Sequence, residues 1–351
     1  MKKLLNLLNK LETNHRLNKE EWVYLIENGG EIKDYIFEKA SKIRDDVYGK
    51  KVFIRGLIEF TNYCRNDCLY CGIRRSNNNA VRYRLTKDEI LECCDEGYSL
   101  GFRTFVLQGG EDMYYTDDFM VEIISSIREK HPDCAITLSV GERGKESYRR
   151  YYEAGADRFL LRHETANECH YAKLHPENLT LKNRMKCLND LKEIGFQTGC
   201  GMMIGSPFQT SENLAEDMMF LTEFKPHMVG MGPFISHKDT PFSKEENGSS
   251  DKTILMLALT RILLPEALLP ATTALGTIDE SGREKAVLAG ANVVMPNLSP
   301  LSERKKYMLY DNKISTGDEA AESLNSLKER MKKIGYEIVT DRGDYKNFIK
   351  K

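Results

Sequence analysis

The sequence predicts an α/β fold in which eight parallel strands, each followed by a helix, close into a barrel. From about residue 51 onward, short apolar runs of strand length alternate with amphipathic runs of helical length. Eight strand runs can be counted, which is the number that closes a β/α barrel. The region they occupy, residues 51–296, is about as long as the roughly 250 residues of a common barrel of this kind.

The strand predictions rest on short runs rich in β-branched and aromatic residues. In chain order the predicted strands are Val52–Phe60, Thr104–Gln108, Ala135–Ser139, Arg158–Leu161, Gln197–Cys200, His227–Met231, Ala271–Thr273 and Asn292–Met295. Glycines such as Gly155 and Gly195 stand where a helix should end and the next strand begin. An open or three-quarter barrel stays the alternative, because the seventh and eighth runs are the shortest.

Helical segments flank the barrel on both sides. Residues 1–50 are predicted as a helical N-terminal extension, in which Leu4, Leu8 and Leu11 fall on one face. Asn18 followed by Glu21 is the pattern of a helix cap. Residues 297–351 are predicted as a C-terminal cap with a helix near 318–334.

Composition excludes several classes of protein. The 351 residues include 51 Lys and Arg against 53 Asp and Glu, so no excess of positive charge is available to bind a nucleic acid backbone. A mean hydropathy of −0.49 excludes a multi-span membrane protein. Nine cysteines in a chain of this length are too sparse for a disulfide scaffold. We therefore expect a cytoplasmic protein whose cysteines are buried, metal-binding or catalytic.

Three cysteines lie within eight residues directly after the first predicted strand. Cys64, Cys68 and Cys71 form the segment CRNDCLYC. Thiolates are the ligands of iron–sulfur clusters, and three of them can hold three irons of a 4Fe–4S cube while leaving the fourth iron open. A zinc site is the alternative, but structural zinc takes four ligands, often as two paired knuckles, and the sequence has no second knuckle.

Polar or glycine-rich residues also follow the later strands, where barrel active sites are built. Gly109, Gly110 and Glu111 follow the second strand, where two glycines let a backbone approach a ligand and the acid can accept from an ammonium group. Ser139 ends the third strand. Similar loops follow the fifth to eighth strands. This common position predicts an enzyme with its site at one mouth of the barrel.

A charged pair follows the fourth strand. Arg162 and Glu164 lie two residues apart, so on an extended segment their side chains point the same way. Arg184, at the start of the next helix, can reach the same place. These residues suit a zwitterionic ligand, although a buried ion pair that seals the barrel is the alternative. His163 points away from the pair and is predicted to be a packing residue.

The remaining six cysteines are predicted to be small core residues. Five of them lie in helical or strand patterns: Cys93, Cys94, Cys134, Cys169 and Cys187. Cys200 is nearer the predicted mouth, and packing is also its preferred interpretation.

The cysteine segment, with Tyr70 before its last cysteine, resembles the signature of radical S-adenosylmethionine (radical SAM) enzymes. The resemblance implies one 4Fe–4S cluster on Cys64, Cys68 and Cys71, and SAM bound at the open iron. It further implies reductive cleavage of SAM to methionine and a 5′-deoxyadenosyl radical. The residues it implies as SAM contacts are Tyr70, Gly109, Gly110, Glu111, Ser139, Arg162, Glu164 and Arg184.

Further segments, among them LLRHETAN, MVGMGPFISHKDTP, PATTALGT and GANVVMPNLSP, resemble the HydE family of FeFe-hydrogenase maturases. The family's function implies a small internal substrate, an iron–cysteine complex carrying CO and cyanide. It also implies an external low-potential electron donor, a sister radical SAM enzyme as supplier and a scaffold GTPase as recipient. By resemblance the substrate cavity is lined by Arg55, Thr137, Met228, Thr272, Thr273, Met295, Tyr307 and Tyr310.

One stretch departs from the pattern of some family members. These carry three further cysteines near the C-terminus for an accessory cluster, whereas the stretch Lys313–Glu322 has none. We therefore expect a single cluster. Methylornithine synthase and biotin synthase are the rival enzymes within the superfamily, and a non-catalytic iron–sulfur electron carrier is the rival outside it.

Overall fold

Parallel strands connected by helices form the framework of the computed structural model, which describes residues 1–314 and 320–349. Within these ranges the strands are β1 Lys51–Ile54, β2 Gly56–Thr61, β3 Thr104–Gly109, β4 Ala135–Ser139, β5 Arg158–Leu160, β6 Gln197–Cys200, β7 Met203–Ile204, β8 Met228–Val229, β9 Gly232–Pro233, β10 Val293–Val294 and β11 Glu337–Val339. The helices are α1 Lys2–Asn14, α2 Lys19–Asn28, α3 Lys33–Tyr48, α4 Lys87–Ser99, α5 Asp117–Lys130, α6 Lys145–Glu153, α7 Glu168–Leu174, α8 Leu181–Ile194, α9 Ser211–Phe224, α10 Ser250–Leu263, α11 Thr273–Ile278, α12 Gly282–Leu288, α13 Leu301–Arg304 and α14 Ala320–Lys333, with a 3₁₀ turn at Gly29–Ile32.

The strands follow one another around a ring. The main sheet has the order β2-β3-β4-β5-β6-β8. Beyond β8, Met228 pairs with Leu268, and Pro270 pairs with Val293 through isolated bridges. Val293 pairs in turn with Phe53 of β1, which leads directly into β2. The predicted eight-unit barrel is therefore present, with its seventh segment reduced to single bridges.

Two of the predicted strands differ from the observed ones. The first, Val52–Phe60, is two strands that are separated at Arg55. The seventh, Ala271–Thr273, is wrong, because helix α11 begins at Thr273 and the barrel wall is supplied by bridges at Leu268 and Pro270. A proline has no N–H to donate to a ladder, which limits pairing there.

The flanking segments are part of the same structure. Trp22, behind the predicted cap, is fully buried, and Asn18 and Glu21 form a complete capping box. The C-terminal region does more than cap the barrel, because β11 adds a parallel strand beside β1. The predicted helix near 318–334 is observed as α14, and residues 318–319 lie outside the described part. No helix in the described ranges is long and apolar enough to cross a bilayer.

An ion-pair network joins the C-terminal segment to the start of β5. Arg158 is fully buried, and its Nη2 donates to Asp344 Oδ1 at 2.6 Å. Gln197 Nε2 donates to the same oxygen at 2.7 Å. Burial opposes ionisation of Asp344, but Arg158, Gln197 and Arg342 together outweigh it and hold the pKa of that carboxyl below its usual range.

Replacing Asp344 with alanine is expected to lower the free energy of unfolding by about 3 kcal/mol, because the buried Arg158 loses its carboxylate. Since the folded-state pKa of Asp344 is depressed, its contribution is complete above about pH 4 and is lost as the pH falls toward the folded pKa. Urea unfolding at several pH values measures this difference. Asp46→Ala, at an exposed position of α3, is the control. An equal loss in both variants, or a difference that grows in acid, contradicts the prediction.

Candidate active site

One cavity of about 300 Å³ lies where the loops after β2 to β5 meet. Its volume is in the range of small-molecule sites. Fourteen of the predicted site residues line it: Cys64, Cys68, Tyr70, Cys71, Gly109, Gly110, Glu111, Ser139, Arg162, Glu164, Arg184, Thr272, Tyr307 and Tyr310. The expectation that these loops share one mouth therefore matches the geometry.

The cysteine loop is folded around one arginine. The guanidinium of Arg82 donates to the carbonyls of four loop residues at 2.5 to 3.0 Å: Asn62, Ile73, Arg74 and Asn77. This arginine ties both ends of the loop to its middle. Sequence reasoning missed Arg82, because a residue that binds only backbone carbonyls leaves no motif.

The three thiols face the cavity and form no disulfide. Burial raises the pKa of Cys64, Cys68 and Cys71. The charges of neighbouring thiolates add to the effect for the last two, and the pKa of Cys71 reaches about 12. Buried thiols of this kind ionise only beside a cation, and a bound metal favours the thiolate.

Among the described residues, no three His, Cys, Asp or Glu side chains converge closely enough to hold one metal ion. Three thiolates that each bind a different iron of a cube need not meet at one point. Three free thiols on one loop, all lining one cavity, fit a cluster that has one open iron.

Tyr70 joins the cysteine loop to the segment that follows β5. Burial lowers the pKa of His175 to about 3, so its ring is neutral. His175 Nδ1 lies 2.9 Å from the carbonyl of Tyr171 and therefore carries the proton. Nε2 of the same ring then accepts from the Tyr70 hydroxyl at 3.2 Å. Leu69 N–H also donates to the carbonyl of Leu174, so two hydrogen bonds hold the cysteine loop against the segment that follows β5.

Glu111 is held rigidly at the cavity wall. Arg65 Nε donates to its Oε2 at 3.0 Å, and Glu142 N–H donates to its Oε1 at 2.8 Å. Gly141 has φ +75°, and a Cβ there would lie 2.2 Å from Glu111 Cγ, so only glycine leaves room for this carboxylate. Both carboxylate oxygens of Glu111 therefore already accept a hydrogen bond from the protein.

The Arg162–Glu164 pair combines charge with unused hydrogen-bonding capacity. Arg162 Nη2 lies 3.1 Å from Glu164 Oε2. Neither atom makes a hydrogen bond within the described structure, and Arg162 Nε has no partner there either. A buried polar atom without a hydrogen bond is costly, so these atoms retain hydrogen-bonding capacity for a ligand although they face each other as an ion pair.

The backbone of Glu164 is strained. Its φ of +64° is in the left-handed region, which a non-glycine residue adopts only when the surroundings enforce it. Its N–H donates to the carbonyl of Gly201 at 3.0 Å. The two side chains share a side of the cavity, as predicted. The assumption of an extended segment is wrong, because β5 ends at Leu160 and the chain turns at Glu164.

Arg184 supports the Arg162–Glu164 pair through two hydrogen bonds to neighbouring groups. Its Nε donates to Glu142 Oε1 at 2.6 Å, and its Nη1 donates to the carbonyl of Arg162 at 2.6 Å. Burial alone would lower the pKa of Arg184, but the neighbouring Tyr171 and Glu142 raise it, so the guanidinium stays charged.

His163 lies on the other side of the chain, away from the cavity. It is fully buried and lies 3.2 Å from Asp217 Oδ1, while Gly201 N–H donates to its Nδ1. It helps to hold the segment to which Glu164 is bonded, in agreement with the predicted packing role.

Five residues predicted for a substrate cavity are not part of this lining: Arg55, Thr137, Met228, Thr273 and Met295. Arg55 Nη1 instead contacts Met228 Sδ at 3.1 Å, and Met295 packs on the apolar group around Met228. Thr273 is the first residue of helix α11. Several buried polar atoms have no partner within the described structure: Arg55 Nε and Nη2, Thr137 Oγ1 and Thr272 Oγ1.

The other cysteines follow the predicted packing with one exception. Five are buried: Cys93, Cys94, Cys134, Cys187 and Cys200. The prediction for Cys169 is wrong, because this thiol is exposed. Helix α7 turns His170, Tyr171 and Leu174 inward and leaves Cys169 on its outer face.

Comparison with known proteins identifies what this arrangement is similar to. The family model of the Radical SAM superfamily matches residues 58–221. The FeFe-hydrogenase maturase subunit HydE of Thermotoga maritima is 49% identical over 279 residues, which are 80% of this chain and 79% of that protein. The 3-methylornithine synthase of Methanosarcina acetivorans is 28% identical over 304 residues, covering 86% and 84%. The crystal structure of methylornithine synthase (PylB) has a TM-score of 0.84 at 25% identity, covering 95% and 97%.

Proposed function

The chain belongs to the radical SAM superfamily as a homologue of HydE, and from that premise we propose that it modifies a small iron-containing precursor of the FeFe-hydrogenase active-site cluster. One observation carries the proposal. Three free thiols and the unsatisfied Arg162–Glu164 pair line the same cavity of about 300 Å³. Such a cavity suits a cluster and a zwitterionic cofactor side by side.

Each side chain has a role in this proposal. Cys64, Cys68 and Cys71 would hold a 4Fe–4S cluster, which would supply the electron for cleavage of SAM into methionine and a 5′-deoxyadenosyl radical. Glu164 would accept from the SAM ammonium group and Arg162 would donate to its carboxylate, which would give a hydrogen bond to each side chain that now lacks one. The backbone at Gly109, Gly110 and Ser139 lets the cofactor approach, and Tyr70 keeps the cysteine loop beside it.

Glu111 and Arg184 act as positioning residues in this arrangement. Glu111 already accepts from Arg65 and from the Glu142 backbone, so it shapes the wall beside the methionyl group. Arg184 fixes the carbonyl of Arg162 and thereby the orientation of that side chain.

The substrate is proposed to enter the barrel below the cofactor. An iron–cysteine complex that carries cyanide and CO presents acceptor atoms and negative charge. The unpartnered buried donors of Arg55, Thr137 and Thr272 suit such a ligand, with Thr273, Met228, Met295, Tyr307 and Tyr310 around it. A sister radical SAM enzyme would supply this substrate, and a scaffold GTPase would receive the product.

A single cluster is proposed. No cysteine follows Cys200 in the sequence, so the C-terminal region has no thiol for an accessory cluster. The stretch where some family members carry those cysteines falls partly outside the described residues, which end at Ile314 and resume at Ala320. The expected iron content is close to four per chain, with a cytoplasmic location and a low-potential donor.

An in vitro maturation assay tests the function. The anaerobically reconstituted protein, with SAM and dithionite, should yield 5′-deoxyadenosine and should replace HydE in activating an apo FeFe-hydrogenase. Methylornithine synthesis is the second candidate, favoured by the TM-score of 0.84 to that enzyme. Formation of 3-methylornithine without hydrogenase activation would establish the second candidate. SAM cleavage without either product would exclude both substrates, and no SAM cleavage would exclude the reaction class.

A further inference from the structure

Exposed aromatic and methionine side chains surround the start of the cysteine loop. Tyr63, which precedes Cys64, is 37% exposed, and Met113 and Tyr114 are 54% and 55% exposed. The guanidinium of Arg84 lies 3.9 Å from the Tyr63 ring centroid and 4.7 Å from that of Tyr114. Large apolar side chains that are exposed together mark interaction sites, whereas single scattered ones do not.

A recess of about 510 Å³ continues this surface. Arg65 and Arg143 line it and reach Met113 Sδ at 3.6 and 3.5 Å. Lys186 and two acids, Asp117 and Glu142, also line it. We call the surface formed by Tyr63, Arg65, Arg84, Met113, Tyr114 and Arg143 the arginine–aromatic patch. Tyrosine, methionine and arginine are the residue types enriched in protein interfaces.

The segment that carries the cysteine loop has the opposite charge balance from the whole chain. Residues 60–86 contain five arginines and one acid, Asp67, which gives 5 − 1 = +4 against −2 for the chain. The arginine–aromatic patch itself contains three arginines, Arg65, Arg84 and Arg143. Two neighbouring acids partly offset this, since Glu111 pairs with Arg65 and Asp112 pairs with Arg84. Those two carboxylates are only 6% and 4% exposed, so their arginines carry the outward charge.

Two other arginines nearby have no carboxylate in direct contact. Within the described residues, no carboxylate forms an ion pair with Arg75 or Arg143. Arg75 is exposed, and its N–H donates to the carbonyl of Asn66 in the cysteine loop. The positive surface therefore extends along the loop that carries the three thiols.

The arginine–aromatic patch adjoins the cysteine loop along the chain. Tyr63 and Arg65 flank Cys64 directly. Arg65 is 48% exposed, and its Nε bonds Glu111 of the cavity wall, so it connects the outer surface to the site. A partner bound here would contact the residues on both sides of Cys64.

We propose that the arginine–aromatic patch is the docking surface for a small acidic electron-carrier protein. The inference rests on the proposed function, which consumes one electron for each SAM cleaved. The carrier is oxidised by one electron, and the cluster held by Cys64, Cys68 and Cys71 is reduced from the 2+ to the 1+ state. An acidic partner matches the outward arginines, while Met113 and Tyr114 supply the apolar centre of the contact.

The test compares two reductants by stopped-flow bleaching of the cluster in the reconstituted, SAM-free full chain. One reductant is an acidic flavodoxin in its reduced form and the other is dithionite, which needs no docking. Arg75→Glu/Arg143→Glu reverses one charge of the patch, at Arg143, and one charge of the adjoining cysteine loop, at Arg75. Met113→Asp removes the apolar centre of the patch without changing an arginine. Arg16→Glu/Lys332→Glu is the matched control, because it makes the same change in net charge at exposed positions elsewhere.

We expect both patch variants to slow reduction by flavodoxin about tenfold or more at low ionic strength, since complementary charge accelerates encounter by orders of magnitude. Added salt should slow the native reaction steeply and the double variant only weakly. Reduction by dithionite and the behaviour of the control should match the native protein. A native flavodoxin rate in both patch variants overturns the proposal. An equal loss with dithionite also overturns it, since the arginines would then act on the cluster itself.

This readout separates the proposal from the function on which it rests. Cluster reduction requires neither SAM nor substrate. A protein whose cluster flavodoxin reduces through the arginine–aromatic patch, but which never cleaves SAM, contradicts the proposed function alone. A protein that cleaves SAM with dithionite, and whose patch variants accept flavodoxin electrons normally, contradicts the docking proposal alone.

Discussion

Replacing Cys68 with alanine is expected to abolish SAM cleavage, with a loss of at least a thousandfold in the rate of 5′-deoxyadenosine formation. The loop offers three thiols, and each one binds a separate iron of the cube. Losing one either prevents cluster assembly or leaves a cluster with a second open iron. Iron analysis and 5′-deoxyadenosine formation, measured anaerobically with dithionite, give the result.

Cys169→Ala is the matched control for this experiment. It removes one thiol from the same chain, but that thiol is exposed on the outer face of α7. The control should keep the native iron content and the native rate. If Cys68→Ala also kept the native rate, the cysteine loop would not be the catalytic centre.

Removing the carboxylate of Glu164 is expected to weaken SAM binding to the cluster-loaded protein by ten- to a hundredfold. A hydrogen bond to a charged group contributes about 1.5 to 3 kcal/mol, and each 1.4 kcal/mol is tenfold in affinity. Glu164 is 7% exposed, and its Oε2 has no hydrogen-bond partner in the described structure, so little water screens a bound ammonium group. Equilibrium binding of SAM to Glu164→Gln and Glu164→Ala measures the effect.

Two further variants make the Glu164 experiment decisive. Glu168→Ala removes an exposed carboxylate four residues further along the chain and should bind SAM normally. Arg184→Ala should weaken binding by a similar ten- to a hundredfold, because Glu142 loses its partner and Arg162 loses the bond to its carbonyl. Native affinity in the Glu164 and Arg184 variants would mean that these side chains only seal the barrel.

Most of the barrel could be predicted from local patterns. Strands such as Thr104–Gly109 and Ala135–Ser139 are buried runs of β-branched and apolar residues, and they form within one residue of the predicted bounds. The segment near Pro270 could not be predicted, because it joins the barrel by isolated bridges that depend on its neighbours Met228 and Val293. Propensity carries no information about such bridges.

The candidate site also has a part that could be predicted from the sequence and a part that could not. The spacing of Cys64, Cys68 and Cys71 is a property of a short loop, so the donor set can be recognised along the chain. The supporting contacts cannot be recognised in this manner. Arg82 binds backbone carbonyls, which every residue has, and Glu142 meets Arg184 across 42 residues of chain.

Chain order alone therefore specified the cysteine donors, the eight-unit rhythm and the absence of thiols after Cys200, because each is a matter of residue type and spacing. Tertiary packing decided where the ring closes, that the backbone turns at Glu164, and that Cys169 faces outward. It also decided that both carboxylate oxygens of Glu111 already accept hydrogen bonds, while Arg162 Nη2 and Glu164 Oε2 form an ion pair but make no hydrogen bond. The physical reason is that burial, strain and hydrogen-bond partners depend on residues far apart in the chain, which only the folded structure brings together.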